Sequence, residues 1–404
     1  RQFNYSFIEF ARMLLCKRKI TRTRPLACER LETRRLLASF GTPWPESRTL
    51  TVSFPSDQAQ IGAYSNRIGE TLDSVADRRE WQTAALRAFQ TWAVETNLNI
   101  GLKTDRGDHF GAVGLSQGDP RFGDFRIGAF PQDGVLANAL PYQTVAGTWA
   151  GDVLLNTQVN YFLAESEDES EIEVPGPDKN GPAVELFSVL LHEAGNALGL
   201  ADVEEPGTVM HKHYEGPKGH LTGADEQAIE SLYGGPRRDI YESRPNDQRY
   251  SATRVHHPNG FDGAQPLTFR GSLNTQDDVD VYRLNPLPGE ERVTVRLRAS
   301  GISLVKARLQ LLDHAGNVIG DVEADSIFDN DLELQIPSLE NHPSLYVRVQ
   351  PDSDDVFGVG DYEIHIDFRS PLRPSDCNAE TDVEAESESD EDFESDDDDE
   401  FVDV

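Results

Sequence analysis

Apolar positions near the front of the chain recur with two different periods, and each change of period marks a new element. Leu50, Val52 and Phe54 alternate with polar neighbours, as the inner face of a half-buried strand does. Trp81, Ala85, Phe89 and Trp92 then follow at helical spacing within residues 79–95, and Leu98, Ile100 and Leu102 alternate again. The order is strand, helix, strand. Residues 125–130 and 152–156 predict two more short strands, with a Gly-rich, Pro-containing loop between them. An acidic stretch at 165–173, followed by Pro175, Gly176, Pro177, Asn180, Gly181 and Pro182, reads as a surface loop. It feeds a Leu-rich helix that carries His192. A shorter helix begins after Leu221 and runs to about Tyr233, where Gly234, Gly235 and Pro236 stop it.

Beyond a polar stretch at 237–259 the texture becomes all-β. Apolar runs at 267–273, 280–284, 293–297, 309–312, 332–336, 345–349 and 362–368 are separated by Gly, Asn, Asp and Pro turns, the rhythm of a sandwich. His314, Ala315, Gly316 and Asn317 sit between two apolar runs and predict a hairpin turn. The division that follows is a basic arm at 1–41, an α+β domain at 42–236, a linker at 237–259, a β-sandwich at 260–370 and a tail at 371–404. A length of 404 residues suits such a multidomain chain.

Charge sharpens this picture. With 37 basic against 71 acidic residues the net charge is −34, which argues against nucleic acid as a partner, since phosphate backbones are gripped by clustered Lys and Arg. Calcium, basic peptides or a crowded ionic exterior suit it better. The acidic stretch from 380 to the end lacks periodicity, and its self-repulsion predicts disorder. No apolar run reaches the ~18 residues that a membrane span requires. Cys16, Cys28 and Cys377 all fall in the terminal segments, so the globular regions hold no disulfide. Within the basic arm, the apolar patch at 7–16 is broken by Glu9 and Arg12 and makes a poor secretory segment. However, residues 29–38 resemble the L-E-x-R-x-L-L motif near the N-termini of large exported proteins of planctomycete bacteria. The chain opens on Arg1 rather than Met, which leaves room for an upstream piece, and the expected location is extracellular or in the cell envelope.

The chemistry concentrates at Leu191-His192-Glu193-Ala194-Gly195-Asn196, followed by Gly199 and Asp202. Two side chains four apart share a helix face, which is why zinc-binding helices space their ligands as H-E-x-x-H. Together with Gly207-Thr208-Val209-Met210, Tyr214 and the helix at 221–234, these residues resemble a matrixin, the metzincin subgroup of the matrix metalloproteinases. Upstream, 125–130 and 151–156 resemble that family's central strands, so the likeness covers about 44–234. The resemblance implies a metzincin-like domain with a twisted mixed sheet and long helices. It makes His192 the first zinc ligand, Glu193 the general base, Met210 the Met-turn residue and Tyr214 a wall of the substrate pocket. Asn196 stands at the second ligand position and Asp202 at the third, with His211, His213 and His220 as substitute ligands near in sequence. Asn138 and Leu154 stand where the family's structural zinc has His, and Asp124, Asp152 and Asn156 are candidates to hold calcium.

The later strands resemble a bacterial pre-peptidase C-terminal domain in Asp277-Asp278-Val279-Asp280-Val281-Tyr282 and in 356–362. That resemblance implies acidic turns able to bind calcium, near Asp277 and Asp352. Two functions follow. One is an exported zinc metalloendopeptidase with an atypical metal site. The other is a catalytically inactive pseudoprotease, an extracellular protein-binding module in which Asn196 marks the loss of metal. A third reading makes the chain a cell-surface structural protein held by its termini.

Overall fold

The computed structural model describes residues 41–166, 168–237, 239–242, 244–255, 267–286, 292–337 and 344–369. The basic arm with its export-like motif, the three cysteines and the acidic tail lie outside these residues.

Alternating apolar residues build the first sheet. Strands β1 (Leu50–Ser53), β4 (Ile100–Leu102), β5 (Phe125–Phe130), β6 (Ala137–Ala139) and β7 (Val153–Asn156) pair in the order β4-β1-β5-β7-β6, while β2 (Gln60–Ile61) pairs with β3 (Tyr64–Ser65) and β8 (Asn160–Phe162) with β9 (Ala183–Glu185) in two small sheets. All neighbours are parallel except β6, which runs antiparallel to β7 along one edge. A mostly parallel sheet needs cover on its faces, and helices supply it. α1 (Ile68–Leu72) is short, whereas α2 (Arg78–Val94) opens on a capping box in which the Asp77 amide donates to Glu80 at 3.0 Å. Its apolar stripe, Trp81, Ala85, Phe89 and Trp92, is buried as the helical spacing predicts. α3 (Leu186–Ala197) packs on α2, and α4 (Gly223–Tyr233) follows.

The second half is a sandwich of two antiparallel-dominated sheets. One is ordered β10-β12-β17-β14-β15 and the other β11-β18-β13-β16. Their strands are β10 (Thr253–Arg254), β11 (Leu267–Leu273), β12 (Asp280–Leu284), β13 (Arg292–Arg298), β14 (Ala307–Leu312), β15 (Val318–Glu323), β16 (Leu332–Ile336), β17 (Leu345–Pro351) and β18 (Gly360–Arg369). Val293, Val295 and Leu297 on β13 face inward while the residues between them are more exposed, the alternation of a two-faced sheet. β11, β12 and β16 span the runs that the sequence predicts, and β14 turns at 313–317 into β15.

The two halves touch. Leu304, Ile327 and Phe357 of the sandwich belong to the same apolar core as Trp92, Leu191 and the first sheet. Arg237, at the start of the polar stretch, is buried between the halves and ion-pairs with Asp361 at 3.5 Å.

Candidate active site

α3 is buried nearly all round, every residue of it except Asn196 being buried, polar Ser188, His192 and Glu193 included. Such a helix lies inside a core rather than on a surface. Its first turn is capped by the buried carboxylate of Glu185, which accepts from the amides of Phe187 at 3.0 Å and Ser188 at 2.6 Å. The Glu185 amide donates to the Tyr214 hydroxyl at 3.0 Å, tying the expected pocket residue to the start of the helix.

At the other end, Gly199 has φ 107°, a left-handed conformation that a side chain would strain. The chain therefore bends, and Asp202 returns to the helix. Its Oδ1 lies 3.2 Å from His192 Nε2 and 3.4 Å from Asn196 Nδ2. Residues 192, 196 and 202 thus meet, though two belong to a helix and one to the loop after it. His192 Nδ1 donates to the Val209 carbonyl at 2.8 Å, which fixes the ring and aims Nε2 at Asp202. The turn that supplies this carbonyl is itself held by Asp225, whose carboxylate accepts from the amides of Val209 at 3.0 Å and Met210 at 3.3 Å. Met210 is buried beneath α3 against Gly195. A Cβ at position 195 would sit 2.4 Å from the Met210 sulfur and 2.9 Å from Trp92, so only glycine fits.

Burial and charge set the titration of the group. Burial opposes the imidazolium of His192, but Asp202, Glu193 and the Val209 carbonyl outweigh it and its pKa rises. Burial alone would raise Asp202, yet the bonds from His192 and Asn196 bring it below its ordinary value. Glu193 is 1% exposed, its Oε2 has no hydrogen-bond partner among the described residues, and burial pushes its pKa up to about 7.

His211, His213 and His220 do not complete the group. Among the described residues, no further His, Cys, Asp or Glu donor lies within 4.8 Å of both His192 Nε2 and the Asp202 carboxylate. His211 Nδ1 instead meets the His213 carbonyl at 3.1 Å, and His220 is exposed. Asn138 bonds Gln132, and Leu154 packs with Ala59, Ile61 and Phe110 in a small apolar cluster.

Of the residues expected to hold calcium upstream, Asp124 and Asn156 are engaged in hydrogen bonds to the backbone around them. Asp124 accepts from the Thr51 amide and hydroxyl and from the Gly118 amide, at 2.9, 3.0 and 2.6 Å. Asn156 staples the neighbouring loop, donating to the carbonyls of Gln132 at 2.8 Å and Val135 at 2.7 Å. Asp152 is buried with neither oxygen hydrogen-bonded among the described residues, and burial raises its pKa well above the ordinary range. In the sandwich, Asp352 pairs with Lys306 at 3.2 Å and Asp277 is exposed. The carboxylates that converge are Asp239, Glu242 and Asp280, each offering an oxygen within 4.8 Å of the other two. Asp280 is fully buried, with Oδ2 bonded by the Tyr362 hydroxyl. Its Oδ1, like Asp239 Oδ2 and Glu242 Oε1, has no partner among the described residues. Burial raises the pKa of all three residues. Asp280 lies in the acidic turn that the sequence singles out, whereas Asp239 and Glu242 lie about forty residues upstream in a polar stretch without periodicity, and no local signal joins them to it.

Residues 65–234 match the family model of the matrixins. Distant relatives include mouse (Mus musculus) matrix metalloproteinase-25, 28% identical over 50% of this chain and 28% of that protein. The macrophage metalloelastase of Oryctolagus cuniculus is 29% identical over 46% of this chain and 35% of its own length. Karilysin of Tannerella forsythia is 24% identical over 39% of this chain and 29% of its length. The chain therefore spans about a third of the length of these relatives. Among solved structures, Aeromonas hydrophila PliG, a periplasmic lysozyme inhibitor of g-type lysozyme, overlaps 29% of this chain and 96% of its own. Identity there is 14% and the TM-score 0.22, too slight an overlap to argue from.

Proposed function

We propose that residues 42–236 are a matrixin-type zinc metalloendopeptidase domain, exported to the cell exterior or envelope, with the β-sandwich as its accessory domain. One observation carries this reading: His192, Asn196 and Asp202 meet at 3.2 and 3.4 Å beside a buried Glu193 whose Oε2 has no partner among the described residues. Donors about 2.0 Å from a tetrahedral zinc lie about 3.3 Å from one another, so the spacing fits the metal. Turning the Asn196 carboxamide over puts Oδ1 where Nδ2 now faces Asp202. His192 Nε2, Asn196 Oδ1 and Asp202 Oδ1 would then hold the ion, with the carboxamide as the weak donor of the three. Bound there, zinc would polarise a peptide carbonyl and acidify a water.

The chain's own residues supply the rest. Glu193, with a pKa of about 7, is poised to take a proton from the attacking water at Oε2 near neutral pH and to return it to the departing amine. The Val209 carbonyl holds His192 in the tautomer that leaves Nε2 available, and Tyr214 stands beside the start of α3 where the substrate chain would pass.

A second reading rests on a specific observation. An imidazolium at His192, donating to Val209 and facing Asp202 at 3.2 Å, neutralises the site internally without any metal. The domain would then bind protein segments without cutting them. Cleavage of a quenched peptide library by the zinc-supplemented chain, compared with Glu193→Gln, separates the two. Hydrolysis that the substitution abolishes supports the peptidase, and none in either protein supports the binder.

The converging Asp239, Glu242 and Asp280 are the residues we assign to calcium. One oxygen of each lies within 4.8 Å of the other two, and carboxylate oxygens are the hard donors that this ion takes, displacing any proton they hold.

A further inference from the structure

We infer that the β-sandwich is a brace for α3, docked on the peptidase-like domain at the sheet edge remote from the candidate site and holding that helix through α2. The contact begins at β4, the edge strand opposite β6. Gly101 in β4 faces the sandwich backbone so closely that a Cβ would lie 3.0 Å from the Ile302 carbonyl carbon and 3.1 Å from that of Gly301. Its neighbour Asn99 is buried with its side chain shared between the halves. Nδ2 donates to the Ile302 carbonyl at 2.7 Å and the Arg48 carbonyl at 3.1 Å, while Oδ1 accepts from the Asp361 amide at 3.2 Å and from Arg237 at 2.9 Å. Arg48 reaches the Asp361 carboxylate at 2.6 Å. Asn99, buried and bonded at both ends of its carboxamide, favours one docking geometry, because a slip would leave its donors and acceptor unpaired.

From this edge the contact runs inward. Gln90, buried on α2, donates to the carbonyls of Val356 at 3.0 Å and Val359 at 2.9 Å, beside the buried Phe357. Two residues further along α2, the Trp92 indole donates to the Leu191 carbonyl at 2.9 Å, adjacent to His192. Gln90 and Trp92 point in different directions from one rigid helix. A sandwich seated on Gln90 therefore fixes the α2 that fixes α3, while β6 beside α3 stays uncovered by it. Gln90, Trp92 and Asn99 are positioning residues, and this role does not depend on zinc being bound.

Gly101→Val tests the brace in the full chain. Its β-branched side chain suits a strand but wedges the halves apart. Hydrogen exchange at 186–197, read by mass spectrometry, should quicken at least tenfold, while exchange at 318–323 on the far side of the sandwich stays unchanged. Exchange at 186–197 that keeps its wild-type rate, whether or not 299–305 loosens, overturns the inference. If the variant does not fold, a protease site placed at the exposed residues 248–251 gives the second test. The nicked halves should co-elute on gel filtration, and their separation would overturn the brace.

Discussion

In α3 a buried imidazole lies 3.2 Å from a carboxylate, whereas at the entrance to the sandwich three carboxylates converge and, among the described residues, no cationic or amide donor reaches one oxygen of each. Both regions remove charge from water, and both must answer for it. The first answers internally, because His192 and Asp202 carry opposite charges and Asn196 adds a hydrogen bond. The second has only protons or an outside cation to call on. The difference teaches that family resemblance and cation dependence need not coincide. The pair at α3 can neutralise itself, whereas the three carboxylates need protons or a cation, so the acidic cluster is where added cation should matter more.

The largest effect should come from the acidic region. Calcium at about a hundred times its dissociation constant stabilises a fold that binds it by ~2.7 kcal/mol, and the melting temperature should rise accordingly. Asp280→Asn should remove that rise, and magnesium at equal ionic strength should give a smaller one. A calcium response in Asp280→Asn equal to wild type would place the ion elsewhere.

Next comes the metal affinity at α3. Asn196→His puts a second imidazole one turn from His192 and should tighten zinc at least tenfold, ~1.4 kcal/mol, in competition with a chromogenic chelator. Equal affinity in wild type and variant would mean that Asn196 is already an adequate ligand or that another residue completes the site.

A smaller effect is the pH dependence. Asp239, Glu242 and Asp280 have native pKa values raised above their unfolded ones. The native state therefore keeps protons that the unfolded chain has released. Their stabilisation is full below the ordinary carboxylate range near pH 4 and is lost as pH climbs through the raised values. In chelator the melting temperature should fall as pH rises from 5 to 8, and calcium should flatten the slope. A slope unchanged by calcium would detach it from this cluster. Glu193 adds to the same trend up to about pH 7, and Glu193→Gln measures its share.

The smallest effect is a control. Arg296 and Glu333 pair across the sandwich surface with side chains 37% and 41% exposed, and Arg296→Ala should change stability by less than ~1 kcal/mol. A larger loss would mean that surface pairs here matter more than their exposure allows.

What could be read from sequence was what periodicity encodes. α2, α3, β5 and most sandwich strands carry long runs of one period, and they appear within a residue or two of the stretches that predict them. The segments Ala137–Ala139, Asn160–Phe162 and Ala183–Glu185 are three-residue strands, too short to display a period, and Val318–Glu323 is an edge strand with no fully buried residue. At the candidate site, the spacing of His192, Asn196, Gly199 and Asp202 foretold the meeting of three side chains, because a helix and one tight turn are local geometry. The support behind them was not legible. Asp225 under the Met210 turn, Trp92 on the Leu191 carbonyl and Asn99 between the halves act across 15, 99 and 203 residues of chain. Such contacts are set by tertiary packing and leave no mark on neighbouring positions. The Asp239, Glu242 and Asp280 cluster has no sequence signature for the same reason.

The most direct test of the central claim is the zinc stoichiometry of the full chain after dialysis against low micromolar zinc, measured beside His192→Ala. Close to one zinc per chain is expected, lost in His192→Ala while Asp280→Asn retains it. Wild-type protein that binds no zinc, or binds as much after His192→Ala, would contradict a metal held by His192, Asn196 and Asp202.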